Sequence, residues 1–267
     1  MYKKTFYLKG TTMCKTDIKK LPFGETVGRS FKYVLKNKEL LRAIIPVVGV
    51  LTIIQILLGF PAMTSIKTVT LSHSKIYLGA LSLAFAAIGI IINYCRSIVC
   101  KASVDYLSLK FWKRLGIYFV FAGIFTVIVA IPTLLLITFI AMLGLSQIMT
   151  MVLAMVITLA ICISLTPLFL AFPAIAVDDY EIIKPKKLYE MAKGNFNTIF
   201  WGQFSLMVPY WVVLQMLISA YYLIGVNNYV VDLIFVIAVL FIGMIDAGFK
   251  GAFFAHIYQF FKFYDKK

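Results

Sequence analysis

The residues best placed to do chemistry in this chain are an aspartate and a lysine four positions apart, Asp246 and Lys250 in "GMIDAGFKGAFFAH". They follow the apolar run "LIFVIAVLFIGMI", so Asp246 falls at membrane depth, where an ionised side chain costs about 2.5–3.5 kcal/mol on insertion scales. Acid before base at this spacing is the favourable order on a helix. Two readings follow. Asp246 could be a proton- or substrate-coupling carboxylate facing a cavity, with Lys250 setting its pKa. The favoured reading is a structural ion pair whose lysine reaches back toward the interface.

A second concentration of charge lies in "AFPAIAVDDYEIIKPKKLYEMAKGNFNTIF". Lys184, Lys186, Lys187 and Lys193 are candidate contacts for an anionic lipid or an acidic partner, because basic amphipathic segments settle in the headgroup layer. The alternative is an ordinary basic loop that solubilises one face. The acids of "DDYE" lack a second carboxylate cluster for metal chemistry. Asp178 and Asp179 are instead expected to end a span and pair with nearby lysines. Cys14, Cys95, Cys100 and Cys162 form no CxxC, and His73 and His256 are remote from them, so no zinc spacing exists. HExxH, GxSxG and phosphate-loop patterns are also missing from the sequence. The expectation is a non-enzyme with no cofactor and no metal.

The elements that must position these residues are apolar throughout. The chain is 62% hydrophobic and 14% charged over 267 residues, far from the 45–50% and roughly 25% of soluble domains. Six segments are long enough to cross the roughly 30 Å of a hydrocarbon core: 43–63, 76–95, 116–142, 150–177, 198–225 and 229–252. The fold class is therefore all-α, a polytopic bundle of six transmembrane helices with cytosolic amphipathic helices. Residues 1–22 read as a flexible basic tail and 23–267 as the membrane domain. Pro132, Pro167, Pro173 and Pro209 are expected to kink their spans.

The net charge of +15 would suggest nucleic acid in a soluble protein. Here all of the 26 Lys and Arg except Lys67 and Lys75 lie on one side of the six spans. The positive-inside rule places that side, with both termini, in the cytosol. The partners implied are the lipid bilayer, anionic lipid at the cytosolic face and a membrane protein, with no nucleic acid.

Three segments on that side read as amphipathic helices: 23–42, 100–116 and 182–196. In the first, Val27, Phe31, Val34, Leu35 and Leu41 form the apolar face. Asp105-Tyr106 with Lys110 echoes Asp179-Tyr180 with Lys184, which could mark a duplicated hairpin or chance. Gly194-Asn195 suits a helix end, with Asn197 or Thr198 opening the next span. Gln55, Asn93, Gln203 and Gln215 could bond across helices, Gly243, Ala247, Gly248 and Gly251 permit close helix approach, and Asp232 falls near the outer surface.

The segment from Phe172 to Phe200, with Pro173, Asp178, Gly194 and Asn195, resembles a loop of the YciC-like bacterial six-span membrane proteins and of the membrane domain fused to some glycerophosphodiester phosphodiesterases. "FKYVLKNKELLR" is similar to the helix that precedes span one in that family. Lys187-Leu188-Tyr189-Glu190-Met191 departs from the family's usual Ala-Leu and Ser positions. The resemblance implies a six-helix protein of the bacterial inner membrane with no catalytic residue of its own. Together these readings lead to an expected scaffold or assembly partner at the cell envelope. A transporter or lipid-handling carrier using Asp246 and Lys250 is the alternative.

Overall fold

The structure, a computed structural model, describes residues 20–59, 73–142, 147–224 and 229–264. The tail up to residue 19, Lys67 with most of its loop, and Asn227-Asn228 lie outside the described residues. The chain is an all-α polytopic bundle with no strand among the described residues. A short helix α1 (Phe23–Lys36) leads into α2 (Lys38–Leu57), followed by α3 (His73–Cys100) and α4 (Leu109–Met142). Next, α5 (Gln147–Leu165) gives way to a 3₁₀ turn (Thr166–Leu170) and restarts as α6 (Ala171–Ala176). After α7 (Pro185–Ala192) come α8 (Phe196–Ile224) and α9 (Tyr229–Tyr264). Among the described residues six spans are long and apolar enough to cross a membrane, and the outward faces of α4 and α8 are covered with Ile, Val, Leu, Met, Phe and Trp, as a lipid solvent requires.

Several boundaries differ from the sequence expectation for identifiable reasons. Segment 23–42 is not one helix. Asn37 breaks it, and its side chain accepts from the Leu40 amide at 3.2 Å to cap α2. The stretch 100–116 is not a surface helix either. Lys101, at φ 53°, ends α3; Ser108 then accepts from the Phe111 amide at 3.1 Å and starts α4 directly. No proline interrupts 109–116, so those two turns run straight into the span. Likewise α9 continues well past 252 because no proline lies between Lys250 and Tyr264 and Gly251 is packed against Ile91. Pro167 sits at the start of the 3₁₀ turn, where its missing N–H relieves the helix of an unpaired donor. Pro132 and Pro209 lie inside continuous helices.

The last helix, α9, is the hub, packing on α3, α1, α8 and α2. Small residues bring the backbones together: a Cβ on Gly251 would stand 3.0 Å from the Ile91 Cα and carbonyl oxygen, and one on Gly248 3.0 Å from the Tyr94 ring. Gly243, expected in this seam, instead faces open space. On α1, Val34 is fully buried and Phe31 meets Phe249 at 4.5 Å between ring centroids, whereas Leu35, read as part of the same face, is exposed. Thr26 and Ser30, both buried, take its place. Their hydroxyls donate to the carbonyls four residues back at 2.9 and 2.8 Å, which lets polar residues sit against the core at no cost in unpaired groups.

Candidate functional site: the polar end of the bundle

Because the spans alternate in direction, the start of α2, the end of α3, the start of α4, the end of α6, the start of α8 and the end of α9 meet at one end. Side chains tie these ends together. Tyr33 of α1 bonds Ser97 of α3 at 2.7 Å, and Gln259 of α9 donates to the Ile98 carbonyl at 2.8 Å. Asn93, expected to glue helices, accepts instead from the Asp105 amide at 2.9 Å and anchors the turn 101–108. Within that turn Asp105 accepts from the Leu107 and Ser108 amides at 3.2 and 3.0 Å.

The loop after α6 is held by two ion pairs. Asp178 sits at φ 61°, in the left-handed region that Asp tolerates better than most residues. From there its carboxylate receives Arg114 of α4: Nε at 2.9 and 3.0 Å to the two oxygens and Nη2 at 2.5 Å. Arg114 itself is buried. Asp179 accepts from both Tyr258 and Lys262 of α9. The acids do end the span, as expected, but their partners are Arg114 and Lys262 from distant helices rather than the neighbouring lysines. Further along, buried Asn195 accepts from the Leu21 amide at 2.7 Å. Its own carbonyl accepts from the Ile199 amide at 2.9 Å, so α8 opens one residue past Asn195, ahead of the expected Asn197 or Thr198.

These bonds leave α7 as a fixed ledge. Leu188 and Ala192 are fully buried under it, and Pro185 begins it. Lys184, Lys186, Lys187 and Lys193 are all exposed, and none forms an ion pair among the described residues. The four candidate lysines are therefore brought together on one short, anchored segment.

Asp246 and Lys250 do meet, Oδ2 to Nζ at 2.6 Å on successive turns of α9. Asp246 is buried, and its Oδ1 has no hydrogen-bond partner among the described residues. An apolar cavity of about 650 Å³ between α2, α3 and α4 includes neither residue in its lining. Across α2 and α3, Gln55 reaches the Gly79 carbonyl and Ser82, both at 3.4 Å, as the glue reading expected. Asp232, by contrast, is not simply at the surface: it is buried and accepts from Tyr221. His256 is half-buried with its ring centroid 6.1 Å from that of Tyr33, and its Nε2 is enclosed.

The carboxylates of this end titrate low. Hydrogen bonds from Arg114 hold Asp178 below its ordinary 3.8, and those from the Ser108 side chain and amide do the same for Asp105. Burial pushes Asp179 up, but bonds from Lys262 and Tyr258 and the Lys262 and Lys187 charges reverse this, leaving it lowered. Groups depressed in the folded state stabilise it fully above their unfolded value and lose that contribution as pH falls through the lower folded value. Hydrogen exchange of the 178–195 amides, corrected for intrinsic rate, should therefore stay constant from neutral pH to about 4.5 and accelerate below about 3.8. Acceleration already at about pH 6 would contradict this assignment.

Arg114, Tyr258, Lys262 and the Leu21–Asn195 bond carry this end and were not among the expected site residues. Tyr258 and Lys262 share a face of α9, with the ammonium 5.4 Å from the ring centroid, and that i, i+4 spacing on a terminal helix was the available signal. No protein-family model matches the chain, and no curated protein or solved structure does either.

Proposed function

We propose that this multi-pass protein is a non-enzymatic scaffold or assembly partner of a bacterial inner membrane, with both termini cytosolic, and that α7 is its docking surface. The orientation rests on the positive-inside rule and the bacterial setting on the family resemblance. The observation that carries the docking reading is the ledge itself. Four exposed lysines, Lys186 and Lys187 on α7 and Lys184 and Lys193 at its two ends, stand on a segment whose flanking turns are tied down by Arg114–Asp178, Lys262–Asp179 and Leu21–Asn195. A pre-organised charged surface gives a partner orientation and on-rate without an ordering penalty.

Charge reversal of Lys184, Lys186 and Lys187 to Glu should release the partner from protein extracted in polymer nanodiscs, with the membrane level unchanged because all three are exposed and only a small loss of stability from the Lys187 charge that helps to hold Asp179 ionised. An unaltered partner profile would remove α7 as the docking surface.

One observation favours a carrier instead: the buried Oδ1 of Asp246 has no hydrogen-bond partner among the described residues. On that reading Lys250 tunes a coupling carboxylate. The closure of the pair within one helix favours the structural role.

A further inference from the structure

We infer that the recess between α1, the start of α2 and α9 binds a phosphate-bearing anion, for which the headgroup of an anionic lipid is the favoured source. The recess has a volume of about 610 Å³, and Arg29, Lys32, Tyr33, Lys36, Lys38 and His256 line it. Arg29, Lys32, Tyr33 and Lys36 recur at i, i+3, i+4 and i+7, so they share one face of α1. Asn37 turns the chain, and Lys38 reaches the same opening from the first turn of α2.

The charge there is not balanced among the described residues. Lys32 and Lys36 are four residues apart, a spacing at which like charges destabilise a helix. Neither they nor Lys38 forms an ion pair among the described residues. Arg29 is shared with Glu25 at a mostly exposed position, and Glu39 is the acid among the lining residues. Three unpaired ammonium groups around one opening are stabilised by a multivalent anion. A phosphate supplies three or four acceptor oxygens and also suits the planar fork of Arg29.

The recess is also held in shape. Buried Val34 and the 4.5 Å Phe31–Phe249 ring contact fix the opposite face of α1 to the bundle, and Tyr33, on the recess side, bonds Ser97 of α3 at 2.7 Å. His256 contributes an Nε2 with no hydrogen-bond partner among the described residues, a buried polar atom of the kind that a ligand or water ordinarily satisfies. The position selects the source. The recess opens where the membrane span α2 begins, which is the depth of lipid headgroups, and basic clusters beside a span attract anionic lipid. The site is separate from the α7 lysines and does not rest on the docking reading.

The test uses the full-length protein and the exposed triple variant Arg29→Gln, Lys32→Gln, Lys36→Gln. Reconstituted in nanodiscs of phosphatidylcholine with phosphatidylglycerol, the wild type should retain phosphatidylglycerol through native mass spectrometry. The triple variant should retain roughly 10-fold less or lower still, and Lys184→Gln, Lys186→Gln, Lys187→Gln should match the wild type. In a second arm, inorganic phosphate is added to protein in pure phosphatidylcholine nanodiscs. A rise in melting temperature that the triple variant lacks would assign the recess to soluble phosphate, the same chemistry from the other source. Equal phosphatidylglycerol retention by wild type and triple variant, with no phosphate-dependent shift, overturns the site. Equal loss in the α7 variant also overturns it, since only a diffuse basic surface would then remain.

Discussion

Asp178→Asn should lower the unfolding free energy by about 2–4 kcal/mol, somewhat below the 3–5 typical of breaking a fully buried pair. Arg114→Met should cost less, about 1–2 kcal/mol, because a buried flexible apolar side chain replaces the buried cation. The asymmetry follows from burial. The Arg114 side chain is 6% exposed and that of Asp178 46%. Losing the arginine leaves a carboxylate that water can reach; losing the carboxylate leaves a guanidinium enclosed. Its Nη1 already lacks a partner among the described residues, and the Asp105 carboxylate, which also acts on Arg114, is engaged with Ser108 and Arg96. Asparagine is the informative replacement because it tolerates the left-handed backbone at φ 61° almost as well as aspartate. The loss then reports the ion pair and not backbone strain. Steric-trapping measurements in bicelles can resolve the two variants. A cost for Arg114→Met equal to or greater than that for Asp178→Asn would show that the pair does not carry this end of the bundle as described.

The second large effect is steric. Gly251→Val should destabilise the bundle by about 2–3 kcal/mol, at the upper part of the range for overpacking, whereas Gly243→Val should cost under about 1 kcal/mol. Both glycines sit in α9, so propensity changes in the same direction in each and cancels in the comparison. What differs is the surroundings. At 251 the new Cβ would already stand 3.0 Å from backbone atoms of Ile91, and backbone cannot rotate away as a side-chain tip can. The carbonyl of Gly251 also accepts from the Cys95 thiol at 3.2 Å, so any outward shift of α9 loosens that bond as well. At 243 nothing lies within 4 Å of the new atom. The same unfolding assay measures both, and equal costs would contradict α3 against α9 as the tight seam of the bundle.

How much of this was readable beforehand varied with the physics involved. The six spans were legible because a run of some 20 apolar residues has few other uses; α4 and α9 ran on through 109–116 and past 252, and α2 stopped at Leu57, ahead of Gly59 at φ 83°. Asp246 with Lys250 was legible because both partners lie on one helix. Arg114 with Asp178 was not, since 64 residues separate them and Arg114 reads as one more charge in a basic loop. The same holds for Lys262 with Asp179, and for Leu21, whose amide finds Asn195 across 174 residues. Local patterns reveal what local spacing can satisfy. The α1 surface failed for a subtler reason: Thr26 and Ser30 are polar by composition, yet each hides its hydroxyl on its own helix and so can be buried.

The scaffold reading is tested most directly by quantitative mass spectrometry of whatever copurifies with the wild-type protein from its native membrane in polymer nanodiscs. A membrane protein recovered in fixed stoichiometry, and lost on charge reversal of Lys184, Lys186 and Lys187, is the expected result. Recovery of the chain with no protein partner would contradict it; a single enriched small molecule would then move the function to Asp246 and Lys250, whereas an enriched anionic lipid alone is what the α1 recess retains.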